Sequence, residues 1–497
     1  MFLGVPMKLD GNAGNPMNFR RYLTKSRFKL TRECPTKLFY MNKTDQFEDK
    51  SLDDSFLKAL ADGGFQIGEL AKLYHPGGVN IETLDHEKAL AETNELLLKD
   101  QVIIFEAAIR YNKLFIRTDI LIKNGNRIDL IEVKAKSFDS TEEDKFYDRR
   151  FLKKGSRRIV KKWKPYLEDV AFQTYIAQNA HPTFKFTPYL MMADKSKTAS
   201  VDGLNQRFLL NKDEAGRTRV KIKEGTNLET VSSKILCKID VREEVDLILC
   251  GEDGQSLSLF ALEVQGYADS YETDAKIEPK IGNQCKKCQF RSNDITRSGF
   301  HQCWKEKAKL KDQELVGPFV FEVWNFRKAQ EQIESGIFLM KDLAPEVINL
   351  KTGDEPGLSS SERQWKQVEL SAKGIKDPYV DKTGLVSEMA SWNFPLHFID
   401  FETTMVAIPF NKNRRPYEQM VFQFSHHQIE KDGTISHKGQ YLSREVGIFP
   451  NFDFIRALKK RSMAIPVQFF VIRRMKILSF VKYMANSKSL LNRIEVN

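Results

Sequence analysis

The spacing of four cysteines constrains this chain more than any other feature. Cys34 stands alone near the N-terminus, and Cys285, Cys288 and Cys303 follow far downstream, in Gln-Cys-Lys-Lys-Cys-Gln-Phe-Arg and His-Gln-Cys-Trp. A Cys-x-x-Cys pair brings two thiolates to one centre with little chain strain. Four thiolates suit either zinc or an iron–sulfur cluster, and spacing alone does not decide between them. A simple zinc ribbon would supply a second Cys-x-x-Cys, whereas here the remaining cysteine is isolated. A centre built from these four must clasp both ends of whatever lies between them. Cys237 and Cys250 sit in apolar, strand-like runs and read as small buried core residues.

At 497 residues the chain is too long for one core, so two to four domains are expected. Six cysteines in such a length do not make a disulfide scaffold. The opening residues are too short for a signal-peptide core, and no apolar run reaches the roughly 18 residues that span a bilayer. A cytoplasmic protein without a membrane partner is therefore expected, with thiolates that are metal ligands or free. The net charge of +11 and pI of about 9.1 suit a polyanionic partner, although total charge alone points only weakly to nucleic acid.

Residues 1–16 are rich in Gly, Asn and Pro and read as a disordered leader, with Met17 a plausible natural start. Helical spacing over 55–75 and 84–99 gives way to short β-branched runs over 101–135. Asn124-Gly125 is a hairpin signal between two of these runs. A helix over 160–180 is followed by expected strands near 184–192, 205–210 and 256–265. Residues 212–235 read as a polar excursion, 305–345 as helical and 353–361 as a loop. A new strand opens at Pro395. The expected class is α+β or α/β with a mixed central sheet. Its expected parts are a core over 17–305, a helical connector over 306–390, a second domain over 391–460 and a basic tail over 461–497.

Within the first part, Asp119 lies in Phe-Ile-Arg-Thr-Asp-Ile-Leu, and Glu132 and Lys134 lie in Leu-Ile-Glu-Val-Lys after a tight turn. Period-two alternation points Glu132 and Lys134 to the same face. A magnesium-dependent nuclease needs acidic oxygens converging on a hard cation, and a base or cation near the attacking water. Glu106, on the preceding strand, could add a further acid. Gln173 and Tyr175 follow on the next predicted helix, preceded by Asp169. The bland reading is a strand pair with solvated charges, which the flanking apolar residues argue against.

These residues resemble the RecB-like PD-(D/E)XK nucleases. The resemblance makes Asp119 the first metal acid, Glu132 and Lys134 the acid-x-lysine pair, and Gln173 with Tyr175 the glutamine-tyrosine helix motif. The spacing departs from the family, Gln-x-Tyr here against Gln-x-x-x-Tyr. The family's usual upstream histidine has only His75 as a candidate. One upstream cysteine plus three downstream resembles the iron–sulfur clasp of such nucleases, as does Arg32-Glu33-Cys34-Pro35. It implies a [4Fe-4S] cluster on Cys34, Cys285, Cys288 and Cys303, with zinc as the alternative. It also implies Mg or Mn at Asp119 and Glu132.

In the second part, Phe398-Ile399-Asp400-Phe401-Glu402 places two acids on one side of a strand. Two-metal exonucleases of the ribonuclease H-like class open with such a strand, its acids holding metal ions. Together with Arg414-Arg415-Pro416-Tyr417-Glu418-Gln419 and Phe422-Gln423-Phe424-Ser425, the assembly resembles the bacterial family of domain of unknown function 2779. That resemblance covers roughly residues 17–460 and carries no settled biological role.

Asp400 and Glu402 supply only half of such a site, and Asp453 is the only aspartate after 432. From Arg456 on there are ten Lys and Arg against Glu495 alone. A change of reading frame near 460–463 would account for this, a true basic tail being the alternative. In a neighbouring frame, codons for Met463–Phe470 can encode Gly-Asn-Thr-Gly-Thr-Ile-Phe, a turn followed by a strand. The expected function is a metal-dependent deoxyribonuclease with an incomplete exonuclease-like second domain. The alternatives are an inactive nucleic-acid-binding protein and an iron–sulfur or zinc redox or sensor protein.

Overall fold

A computed structural model describes residues 21–462, apart from 54, 144, 154, 214–215, 217, 232–233, 252–258, 354–356 and 446. The leader expected over 1–16 and the tail after 462 lie outside the described residues. The chain divides into two units, Met1–Gly384 with Met405–Gln419, and Leu385–Thr404 with Met420–Asn497.

In the first unit, β1 (Leu23–Thr24) leads into α1 (Lys25–Glu33) and α2 (Lys37–Tyr40). Then come α3 (Ser55–Leu73), β2 (Val79–Asn80) and α4 (His86–Leu97). A meander follows of β3 (Gln101–Tyr111), β4 (Leu114–Asn124) and β5 (Arg127–Phe138). After α5 (Arg149–Leu152), α6 (Lys164–Ala180) crosses to β6 (Lys185–Asp194). The remaining elements are β7 (Phe208–Lys212), β8 (Thr218–Ile222), α7 (Leu228–Val231), β9 (Leu236–Asp240), α8 (Arg242–Cys250), α9 (Leu259–Glu272) and α10 (Gly299–Ala308).

The main sheet is mixed, in the order β2-β3-β4-β5-β6-β9, with β1 paired parallel to β4. The β3-β4-β5 meander is antiparallel, turning between β4 and β5 at Asn124-Gly125, where Gly125 adopts φ +58°. The β5–α6–β6 crossover is parallel, which needs the intervening helix to return the chain. Alternation along β5 sends Ile128 and Leu130 to the core beneath α6, and Ile131 and Val133 to the core beneath α3. The ring of Phe28 on α1 stacks on Phe172 of α6 at 4.4 Å, so both helices lie over the same face.

Three expectations need correction. Residues 259–264, expected as part of a strand, belong to α9. Its buried Phe260, Ala261, Val264, Ala268 and Tyr271 recur with helical spacing, a period that a short apolar run does not reveal. Cys250 ends α8 rather than sitting in a strand, while Cys237 does lie in β9. The stretch 305–345 is not one helical region. Gly317-Pro318 and Gly336 break it into short turns around a core of Phe300, Trp304, Phe319 and Phe321.

In the second unit, β10 (Leu396–Thr404), β11 (Met420–Ile429) and β12 (Ile435–Leu442) form an antiparallel sheet. The helix Asn451–Ser462 packs Phe454 against Phe401, Phe424 and Tyr441 on one face.

Candidate functional site

The site lies where β4 and β5 part. Their pairing runs from the hairpin to Ile120 opposite Ile131 and stops there. The next residues along are Asp119 and Glu132. Instead of a ladder bond, the Val133 backbone N–H donates to the Asp119 carboxylate at 2.7 Å. On the other side of β4, the ladder skips Glu106, between Phe105 opposite Ile120 and Ala107 opposite Thr118. Glu106 adopts φ +57°, a left-handed conformation that costs a non-glycine residue of order 1–2 kcal/mol. This turn also switches faces: Phe105 packs in the α3-side core and Ala107, two residues on, in the α6-side core. Backbone strain and interrupted pairing thus coincide at the acids.

Two helices complete the cluster. On α1, Lys25 and Lys29 share a face at i, i+4; on α6, Asp169 and Gln173 do the same. The Lys25 ammonium donates to Asp119 Oδ1 at 3.2 Å and to Glu132 Oε2 at 2.9 Å. Lys134 donates to Glu132 and, at 2.7 Å, to Asp169 Oδ2. Lys29 reaches the same Asp169 oxygen at 3.0 Å, and Gln173 Nε2 donates to Glu132 Oε2 at 2.8 Å. Glu132, Asp169 and Gln173 are almost wholly buried. Asp169 Oδ1 and Gln173 Oε1 are buried without a hydrogen-bond partner.

The carboxylates of Asp119, Glu132 and Asp169 thus face the ammonium groups of Lys25, Lys29 and Lys134 in a largely buried pocket, with Glu106 beside Asp119. Burial works against the charge on Glu132, but Lys134 and Lys25 outweigh it and hold that carboxyl well below its ordinary range. Burial likewise opposes the charge on Lys134, and Asp169 and Glu132 overcome it. Asp119 is pushed up by burial and by neighbouring Glu132, because its lysine is shared. Glu106 is pushed up by burial and then by Asp119. Acids with divided affinities for a proton, held on one face, are the arrangement that acid–base and metal chemistry use.

The structure brings Glu106, Asp119, Glu132, Lys134 and Gln173 together, and does not bring Tyr175 to them. Two helical positions turn the chain by about 200°, so a side chain two residues from Gln173 faces away. The Tyr175 ring instead packs edge-on to Tyr111 at 6.1 Å. His75, just past the end of α3, points to the Ala71 carbonyl on that helix, at 2.9 Å, and its charged neighbours are Lys238, Lys234 and Asp129, outside the cluster. Lys25, Lys29 and Asp169 are members that strand motifs did not reveal. Their signal was the i, i+4 spacing of polar groups on α1 and α6.

The cysteines converge as well. Cys34 caps the end of α1, Cys285 and Cys288 flank a tight turn, and Cys303 lies on α10. Each of the three downstream thiols lies within electrostatic range of Cys34. Burial pushes Cys285 up to about 11 and Cys303 up to about 12. The segments that carry them are laced together: Glu48 N–H donates to Arg297 O at 3.0 Å, and Lys50 N–H to Gln289 O at 3.0 Å. Gly299 lets α10 start against the Tyr40 ring, where an added Cβ would stand 2.9 Å from ring carbons. Tyr40 Oη lies 3.1 Å from Cys303 Sγ. Among the described residues, no three His, Cys, Asp or Glu side chains are arranged to hold a metal ion as they stand.

In the second unit, Asp400 and Glu402 alternate onto the exposed face of β10, opposite the face that Phe454 covers. Asp453, on the helix, pairs with Arg456 at 2.8 Å.

The sequence model of the family described as Domain of unknown function (DUF2779) matches residues 397–487. The match supports the resemblance over those residues and opens on the strand of Asp400 and Glu402. It also runs through 463–487, where a shifted reading frame would leave no family pattern to match. Among curated proteins and among solved structures, nothing matches the chain. Among the described residues, no helix is long and apolar enough to cross a membrane.

Proposed function

We propose that the first unit is a divalent-metal-dependent nuclease of the PD-(D/E)XK kind, acting on DNA. The observation that carries this reading is the convergence of Asp119, Glu132, Lys134 and Gln173 at the fork between β4 and β5. Asp119 and Glu132 are the oxygen donors for Mg or Mn, and the Lys25 ammonium between them marks a position that attracts a cation. A metal there would supply Lewis acidity to a phosphodiester and acidity to a bound water. Lys134, held charged by Glu132 and Asp169, is placed to orient that water and to offset charge developing on phosphate oxygens. Gln173 fixes the Glu132 carboxylate, and Asp169 fixes Lys134.

Four thiols from segments far apart in sequence supply a donor set that suits a [4Fe-4S] cluster, with zinc as the alternative. Their role is structural: they tie α1 and α2 to α10. The second unit is read as a partial ribonuclease H-like domain whose Asp400 and Glu402 are half of a two-metal site.

The test is hydrolysis of single- and double-stranded DNA by anaerobically purified protein with Mg or Mn. Lys134→Ala and Glu132→Gln should each lower cleavage at least about 100-fold, the scale of removing one group aimed at transition-state charge. Wild-type activity in both variants, or none in the wild type with either metal, would overturn the reading.

A further inference from the structure

The link between β5 and α6 is the most basic stretch of the first unit. Residues 145–164 hold ten Lys and Arg and one acid, Asp148, after an acidic triplet at 142–144. The link leaves β5 just past Lys134 and enters α6 shortly before Asp169, so both of its roots are elements of the candidate site. Backbone pairing and ring packing hold its described residues. Tyr147 bridges Ile159 in antiparallel register, Asp148 N–H donates to Arg158 O at 2.8 Å, and Val160 N–H donates to Phe146 O at 2.8 Å. Phe146 and Trp163 are buried against Phe138, with ring centres 5.5–5.6 Å apart. The link is therefore an arm pinned at its base, with α5 at its tip.

Most of its described cations face solvent. Arg149, Lys153, Arg158, Lys161 and Lys162 are exposed and form no ion pair among the described residues. Rings lie among them: the Arg158 guanidinium stands 4.8 Å from the Phe151 ring, and Lys162 Nζ 5.5 Å from Trp163. On β5 itself, Lys136 Nζ lies 5.5 Å from the Tyr166 ring at the start of α6. Unpaired surface cations confer little stability and repel one another, so a concentration of them on one exposed link suits a polyanion.

We propose that this arm is the docking surface for the phosphodiester backbone of a nucleic acid, leading the strand to the cluster around Glu132 and Lys134. This rests on the nuclease reading for the identity of the polyanion, and its test separates the two. Binding of a fluorescein-labelled 30-mer, single-stranded and duplex, is followed by anisotropy in EDTA across a KCl series, using the full chain. The variant R149Q/K153Q/R158Q/K161Q/K162Q should bind at least about 30-fold more weakly. The slope of log K against log salt should flatten by about 3 to 5, since each lost contact removes roughly 0.7–0.9. The charge-preserving variant with arginine at all five positions should bind like wild type, and both variants should melt like wild type. An unchanged affinity and slope in the glutamine variant would overturn the proposal. So would arm-dependent binding to phosphatidylserine vesicles with none to either oligonucleotide. Arm-dependent DNA binding without cleavage in Mg or Mn would uphold the arm and sink the nuclease reading alone.

Discussion

Lys25 offers the sharpest test of the site, because its ammonium holds two carboxylates together. In Lys25→Met the side-chain volume is nearly kept and the charge is lost. Asp119 then retains only the Val133 N–H, while Glu132 keeps Lys134 and Gln173. The pocket passes from three ammonium groups against three carboxylates to two against three. Removing one partner of a buried pair costs about 3–5 kcal/mol, because the other charge stays desolvated. Unfolding entropy is about 2.1 cal/mol/K per residue, so a cooperative unit of roughly 400 residues changes by about 0.8 kcal/mol per degree. The melting temperature in EDTA should therefore fall by about 4–6 °C. The same loss leaves the pocket one negative charge richer, so millimolar Mn should raise the melting temperature of the variant more than that of wild type. Differential scanning calorimetry with and without Mn reads both effects. A variant that melts within a degree of wild type in EDTA and responds equally to Mn would refute the reasoning.

Other outcomes follow from the geometry. Cys→Ser at Cys34, Cys285, Cys288 or Cys303 should lower bound iron or zinc and melting temperature together, and full metal retention in all four variants would sink the shared centre. Asp194 accepts from the backbone and hydroxyl of Ser140 at 3.2 and 2.6 Å and of Ser196 at 3.0 and 2.7 Å. Burial alone would raise its pKa, but these donors lower it. A lowered folded pKa means stability present above the unfolded value of about 3.9 and lost as pH falls through the folded one. Asp194→Asn should thus cost about 2 kcal/mol by urea unfolding at pH 7, and less near pH 3; a cost that does not change with pH would refute this. Asp400→Asn and Glu402→Gln, on an open sheet face, should leave DNA cleavage by the full chain within about twofold, and a loss near that of Lys134→Ala would show that the second unit does the cutting.

How far the sequence could be read depended on the range of each signal. Period-two patterning and Asn124-Gly125 marked β4, β5 and their hairpin, so Asp119, Glu132 and Lys134 could be placed on strands from local residues alone. The cysteine spacing similarly announced that residues near 34 and 285–303 meet. Local signals failed where two periods fit one run, as at 259–264, or where a motif was carried onto a helix without its geometry, as at Tyr175. Tertiary structure alone decided that β4 and β5 part at Asp119 and Glu132, that Glu106 turns left-handed beside them, and that Lys25, Lys29 and Asp169 complete the cluster. These are contacts between α1, the sheet and α6. Burial opposes the charge on Asp119 and Glu132 alike, so the neighbouring charges that the fold assembles, not residue type, set which of these acids holds its charge.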